Sequence, residues 1–237
     1  MLLPVSSSSC RGAITISVWD AAAEFDTKAN PAGGTPAGVW SYGWKTALTG
    51  RFFLLSTAYR ESPCREGWCS ASGIPRIYHS SRTVAAIPNA AGPITTPPPA
   101  LSLSASPNGD YGVVRFTAPA NGIYRVSGQF YAQEDNSTAA SMDVWILPEN
   151  NRTGAFSGMV KCQGGVKPAS FTGTVFQLDK GSTLDFQAGG GSNRNVDHAT
   201  IGLNVLIEKT RDSAKSTEKK MRQLHFLCNA SQKIPKE

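Results

Sequence analysis

Residues 110–130 read DYGVVRFTAPANGIYRVSGQF, and this stretch constrains the fold more than any other. Val114, Phe116 and Ala118 alternate with Val113, Arg115 and Thr117. Beyond a Pro-Ala-Asn-Gly break, Tyr124, Val126 and Phe130 alternate with Arg125, Ser127 and Gln129. A period of two on both sides of a turn predicts two half-buried antiparallel strands. Pro119 presets φ for that turn, and Asn121 and Gly122 tolerate the backbone it needs. Such a pair is stable only inside a larger sheet.

The rhythm continues to residue 208. Strands are expected at 101–104, 111–118, 123–132, 141–147, 154–161, 171–178, 183–188 and 199–208, separated by Gly, Pro, Asn and Asp breaks. In the last of them Ile201, Leu203, Val205 and Ile207 should face inward. Short strands at regular spacing predict an all-β fold, a jelly-roll-like antiparallel β-sandwich. Upstream, 18–25 reads as a short strand or a helical turn, 39–44 as a strand and 51–59 as another. Residues 61–73 form a cysteine-bearing loop, 75–79 and 83–87 read as short edge strands, and the proline-rich 89–99 as a surface connection. The division is a leader or frayed N-terminus over 1–15, a sandwich domain over 16–208 and a basic, disordered or partly helical tail over 209–237.

Charge narrows the partners. The net charge is +6, but eight Lys/Arg against three Asp/Glu lie from Lys209 onward, so almost all of the excess sits in the tail. The charge of the body therefore gives no support for nucleic-acid binding. No apolar run approaches the ~18 residues of a membrane span. The N-terminus, MLLPVSSSSCR, lacks the basic start and continuous apolar run of an export signal.

The order of several phrases carries a resemblance. FTAPANGIYRVSGQF (116–130) and FQLDKGSTLDFQAGGGSNRNVDHATIGLNVLI (176–207) resemble a bacterial exported β-sandwich family of uncharacterised secreted or PEP-CTERM-sorted proteins. VWSYGW (39–44), PRIYHS (75–80) and PNGDYGVVRFTAP (107–119) look like markers of the same family. The F-x-A-P-x-x-G-x-Y phrase is also similar, as a fold analogy, to complement and tumour-necrosis-factor jelly rolls. The family resemblance implies a secreted or cell-surface protein of bacterial origin. The tail departs from the sorting pattern, because 209–237 holds basic residues but no apolar span.

No catalytic arrangement emerges. There is no G-x-S-x-G elbow, and His79, His198 and His225 are scattered. Carboxylates for glycoside hydrolysis exist at Glu134, Asp135, Asp143, Asp185 and Asp197, with Asp143 and Asp185 at outward strand positions expected to be exposed. Asn193, Asn195 and Asp197 in a glycine-rich loop form the best metal candidate, for calcium, with a polar loop as the competing account. Cys64 and Cys69 are candidates for a loop disulfide, or two free thiols; the odd total of five cysteines leaves at least one unpaired. Trp40, Tyr42 and Trp44 share one strand face, suited either to stacking on sugar rings or to filling a sandwich core. Met142, Val144 and Ile146 claim the inward face of their strand, so Trp145 and Asp143 should share the outward one.

The expectation from these features is a non-catalytic extracellular or cell-surface binding or adhesion module for a glycan or another surface protein. The alternatives are a structural protein that assembles into trimers and a glycan-active enzyme.

Overall fold

A computed structural model describes residues 17–31, 38–62, 65–80, 100–133, 141–149, 153–161, 167–190 and 200–210. These residues form fourteen strands and no helix. Two antiparallel sheets face each other across one apolar core.

The C-terminal eight strands are β7 (Ala100–Ser104), β8 (Tyr111–Thr117), β9 (Gly122–Ala132), β10 (Ser141–Pro148), β11 (Phe156–Lys161), β12 (Ala169–Leu178), β13 (Thr183–Gly189) and β14 (Ile201–Thr210). They match the eight strands expected from the alternation to within about two residues at nearly every end. One sheet carries them in the order β12-β9-β14-β7 and the other as β11-β10-β13-β8. Four strands on each side, with the chain crossing between sheets, is jelly-roll connectivity.

The N-terminal part extends both sheets. β1 (Ser17–Asp20) pairs with β14 beside β7, and residues 21–24 then turn. β2 (Trp40–Lys45) and β3 (Phe53–Leu54) add to the sheet that ends in β8. β4 (Thr57–Ser62), β5 (Arg65–Cys69) and β6 (Arg76–Ser80) extend the other sheet from β7. The single strand expected over 51–59 is therefore two strands in two different sheets. The chain leaves the first sheet at Leu55, which is buried and donates its N–H to the Tyr42 carbonyl at 3.0 Å. Asn30 holds this crossing, its amide donating to the carbonyls of Tyr42 and Leu55 while its oxygen accepts from the Tyr42 N–H.

The expected cysteine loop is also corrected, because β5 runs through it and pairs with both β4 and β6. Cys69 ends β5 as a free, buried thiol, its pKa pushed up by that burial. A short closed loop at this point is thus replaced by an open strand; Cys64 itself lies outside the described residues. So do 83–87, 89–99, 1–16 and 211–237.

The core is aromatic at its centre. Phe116 contacts Trp40 at 5.3 Å, Trp19 at 5.4 Å and Tyr124 at 5.7 Å between ring centroids, which ties β1, β2, β8 and β9 together. Tyr124 donates its hydroxyl to the Ala120 carbonyl at 2.6 Å and so enters the core satisfied. Ile201, Leu203, Val205 and Ile207 all point inward, as their alternation requires.

One feature departs from a two-layer sandwich. All seven residues of β13 are buried, although only every second one faces the core. The segment 46–52, between β2 and β3, folds back over the outer face of the six-stranded sheet. Gln187 on β13 donates its Nε2–H to the Leu48 carbonyl at 3.3 Å.

Candidate functional site

The outer face of the six-stranded sheet is where chemistry collects. Alternation directs Ser41, Gly43 and Lys45 of β2 outward, along with Val113 and Arg115 of β8 and Asp185 and Gln187 of β13. Register places Arg115 between Ser41 and Asp185. The carboxylate of Asp185 accepts from Arg115 Nε at 2.6 Å and from Nη2 at 2.9 Å, a two-pronged pair. Lys45 reaches the same carboxylate with its Nζ at 2.6 Å. The Asp185 and Lys45 side chains are only 3% and 5% exposed, so these charges sit in a largely dry floor.

Two cations on one carboxylate leave an excess of positive charge. Lys45 has three N–H donors, and Asp185 is its sole ion-pair partner among the described residues. Arg115 is covered by Phe52, whose ring centroid lies 3.9 Å from the guanidinium carbon. Gly43 makes this cover fit: a Cβ there would overlap the Phe52 ring. Arg51 lies over the Phe53 ring at 5.4 Å, and Phe53 stacks on Trp44 at 5.0 Å.

The segment 46–52 does not seal the face completely. A half-open cleft of about 340 Å³ lies between it and the sheet. Lys45, Arg115 and Asp185 line its floor, with Arg51, Phe52 and Thr49 on one wall and Leu147, Pro148 and Glu149 on the other. The cleft thus combines an aromatic ring, two guanidinium groups, an ammonium and two carboxylates.

The expected site residues fall in different places. Trp40 and Tyr42 are fully buried in the core, so they are not a ligand platform. Burial raises the Tyr42 hydroxyl pKa well above its ordinary value. Trp44 is half-buried against the core and Phe53. Trp145 and Asp143 lie half-buried on the outward face of β10. Trp145 is the register partner of Gln187 and stands one row from Leu147 of the cleft. Its Nε1 and the Gln187 Oε1 are buried without hydrogen-bond partners among the described residues. Burial holds the Asp143 carboxyl above the usual range.

Asp185 corrects the sequence reading. It does face outward, but the covering segment and two cations enclose it. Asp143 and Asp185 are offset by four residues along neighbouring strands, about 14 Å. Glycosidase carboxylates stand about 5–9.5 Å apart. The backbone offset of the two exceeds that spacing. Asn193, Asn195 and Asp197, the calcium candidates, lie outside the described residues, as do Glu134, Asp135 and His198. Among the described residues no group of three or more His, Cys, Asp or Glu could hold a metal ion, and no helix is long and apolar enough to cross a membrane.

The sequence reading missed Lys45, Phe52 and the partnership of Arg115 with Asp185. Charged residues at outward strand positions were visible, but the pair is separated by 70 positions. The usable signal was Gly43, a glycine in a strand interior, which marks close approach of another group.

No family model matches this chain, and no curated protein matches its sequence. Among solved structures, the chain is similar to the enzymatically active domain of tailspike protein 4 from bacteriophage CBA120, at 10% identity and a TM-score of 0.29, over 78% of this chain and 21% of that one. It is also similar to the isomalto-dextranase of Arthrobacter globiformis T6 complexed with panose, at 12% identity and a TM-score of 0.27, over 83% of this chain and 32% of that one. The chain spans a third or less of either protein's length, and likenesses this slight carry no weight for fold or function.

Proposed function

We propose that this chain is a non-catalytic binding module, acting outside the cell or at its surface, and that its ligand is a glycan seated in the cleft under segment 46–52. The observation that supports this most is the composition of the cleft. Phe52 supplies an apolar face for the C–H side of a sugar ring, and charged groups beside it supply directional hydrogen bonds to hydroxyls. Asp185 has both oxygens engaged by Lys45 and Arg115, which suits it to position those cations rather than to exchange a proton with substrate. Among the described residues that line the cleft, Glu149 is then left without a second free carboxylate, which supports binding over hydrolysis. The extracellular location rests on the resemblance of 116–130 and 176–207 to exported sandwich proteins.

A glycan array probed with the full chain tests this reading. Specific hits should appear, and Phe52→Ala should lose them while its melting temperature stays within a few degrees of the parent. Hits that survive Phe52→Ala unchanged would place binding elsewhere on the molecule. Release of reducing ends from a bound oligosaccharide would replace the binding reading with the enzyme.

A further inference from the structure

We infer that the cleft recognises an anionic sugar unit, one carrying a carboxylate or sulfate on its ring, rather than a neutral glycan. This deepens the binding-module reading and rests on it. Three cations, Lys45, Arg51 and Arg115, line the cleft against two anions, Asp185 and Glu149. The surplus positive charge lies at the floor, where two cations share one carboxylate.

Burial makes that surplus consequential. A charge with little water around it interacts more strongly with a counter-charge, because the surrounding dielectric is lower. The Lys45 ammonium is almost wholly enclosed, yet only one of its three donors has an ion-pair acceptor among the described residues. An oxyanion entering the cleft would take a remaining Lys45 donor in a charge-assisted hydrogen bond. Phe52 restricts the approach. Its ring covers one face of the Arg115 guanidinium, so a ligand meets Arg115 from the edge, where its donors lie. A cleft of about 340 Å³ is at the small end for a ligand site and suits one or two sugar rings. Carboxylate and sulfate share the chemistry invoked here, so the experiment must separate them.

The test is a calorimetric titration of the full chain with three matched oligosaccharides: a hexuronate-containing one, an O-sulfated one and a neutral one. At least one acidic probe should bind about tenfold or more tighter than the neutral probe. Raising the ionic strength should weaken the acidic probe and leave the neutral one little changed. Preference for the first acidic probe assigns a carboxylate, and preference for the second a sulfate. Lys45→Met should erase the preference. If that variant fails to fold, Arg51→Gln on the exposed wall should reduce it severalfold, with the salt dependence of the parent as the second readout. Equal, salt-insensitive binding of acidic and neutral probes would overturn this inference and leave the glycan reading standing. Binding of none of the three, with none on the array, would overturn both.

Discussion

The ring of Phe52 lies 3.9 Å from the guanidinium carbon of Arg115, roofing a cation whose other contacts are with the floor of the sheet. The contact depends on Gly43, because a side chain there would occupy the space of the ring. Gly43→Ala should therefore expel Phe52 and uncover Arg115. The expected cost is about 1–3 kcal/mol, in the range of an overpacked site. Denaturant unfolding measures it, and adding Phe52→Ala to Gly43→Ala should recover much of the loss. No recovery would show that Gly43 serves the backbone rather than the ring.

Asp185 should behave unlike an ordinary surface carboxylate. Asp185→Ala leaves Lys45 and Arg115 enclosed without their counter-charge, and removal of one partner from a buried ion cluster costs about 3–5 kcal/mol. Replacing all three with apolar residues of similar size, Lys45→Met with Asp185→Leu and Arg115→Met, should cost less than Asp185→Ala alone. Chemical denaturation of the two variants decides this. A triple variant less stable than the single one would mean that the cluster holds the strands together rather than serving the cleft.

His79 gives a pH dependence whose sign can be worked out. It stacks on Phe25 at 5.5 Å, its Nε2 is buried without a hydrogen-bond partner among the described residues, and burial lowers its pKa below the ordinary 6.5. The carboxylates of Glu66 and Asp20 pull the other way and are the weaker influence. The unfolded chain therefore takes up this proton at a higher pH than the folded one. The group's contribution is intact above the ordinary value and lost as pH falls through it toward the lowered one. Melting curves between pH 8 and pH 5, bounds that bracket the ordinary histidine pKa of about 6.5, should show His79→Phe losing less stability on acidification than the parent. Parallel curves would assign the acid sensitivity to other groups.

The sheets were legible because alternation is a local signal. Phe116, Tyr124, Val126 and the inward row of β14 announce their faces within a few residues of themselves. The expected strand at 51–59 failed at Leu55, where continuity of apolar residues hid a change of sheet that only Asn30 and Tyr42, distant in sequence, impose. Asp185 shows the same limit from the other side. Its outward direction was readable from β13, but outward was equated with exposed. The covering segment 46–52 has no periodicity of its own, so nothing nearby in the chain marks Asp185 as roofed. Trp40 and Tyr42 were left open between core and platform, and the folded chain buries both rings, Trp40 against Phe116 and Phe186 and Tyr42 against Phe25.

The roof and the floor of the cleft also have different origins in the chain. The floor is assembled from strands far apart in sequence, and its charges are mutually dependent, so no member of Lys45, Arg115 and Asp185 can change alone without penalty. Much of the roof is one contiguous stretch attached at two strand ends, touching the sheet chiefly through Phe52 and the Leu48 carbonyl. That division makes 46–52 an exchangeable cassette. Relatives or designed variants could acquire new cleft shapes by rewriting one short segment, while the ion cluster of Lys45, Arg115 and Asp185, embedded in the strands, would be inherited unchanged.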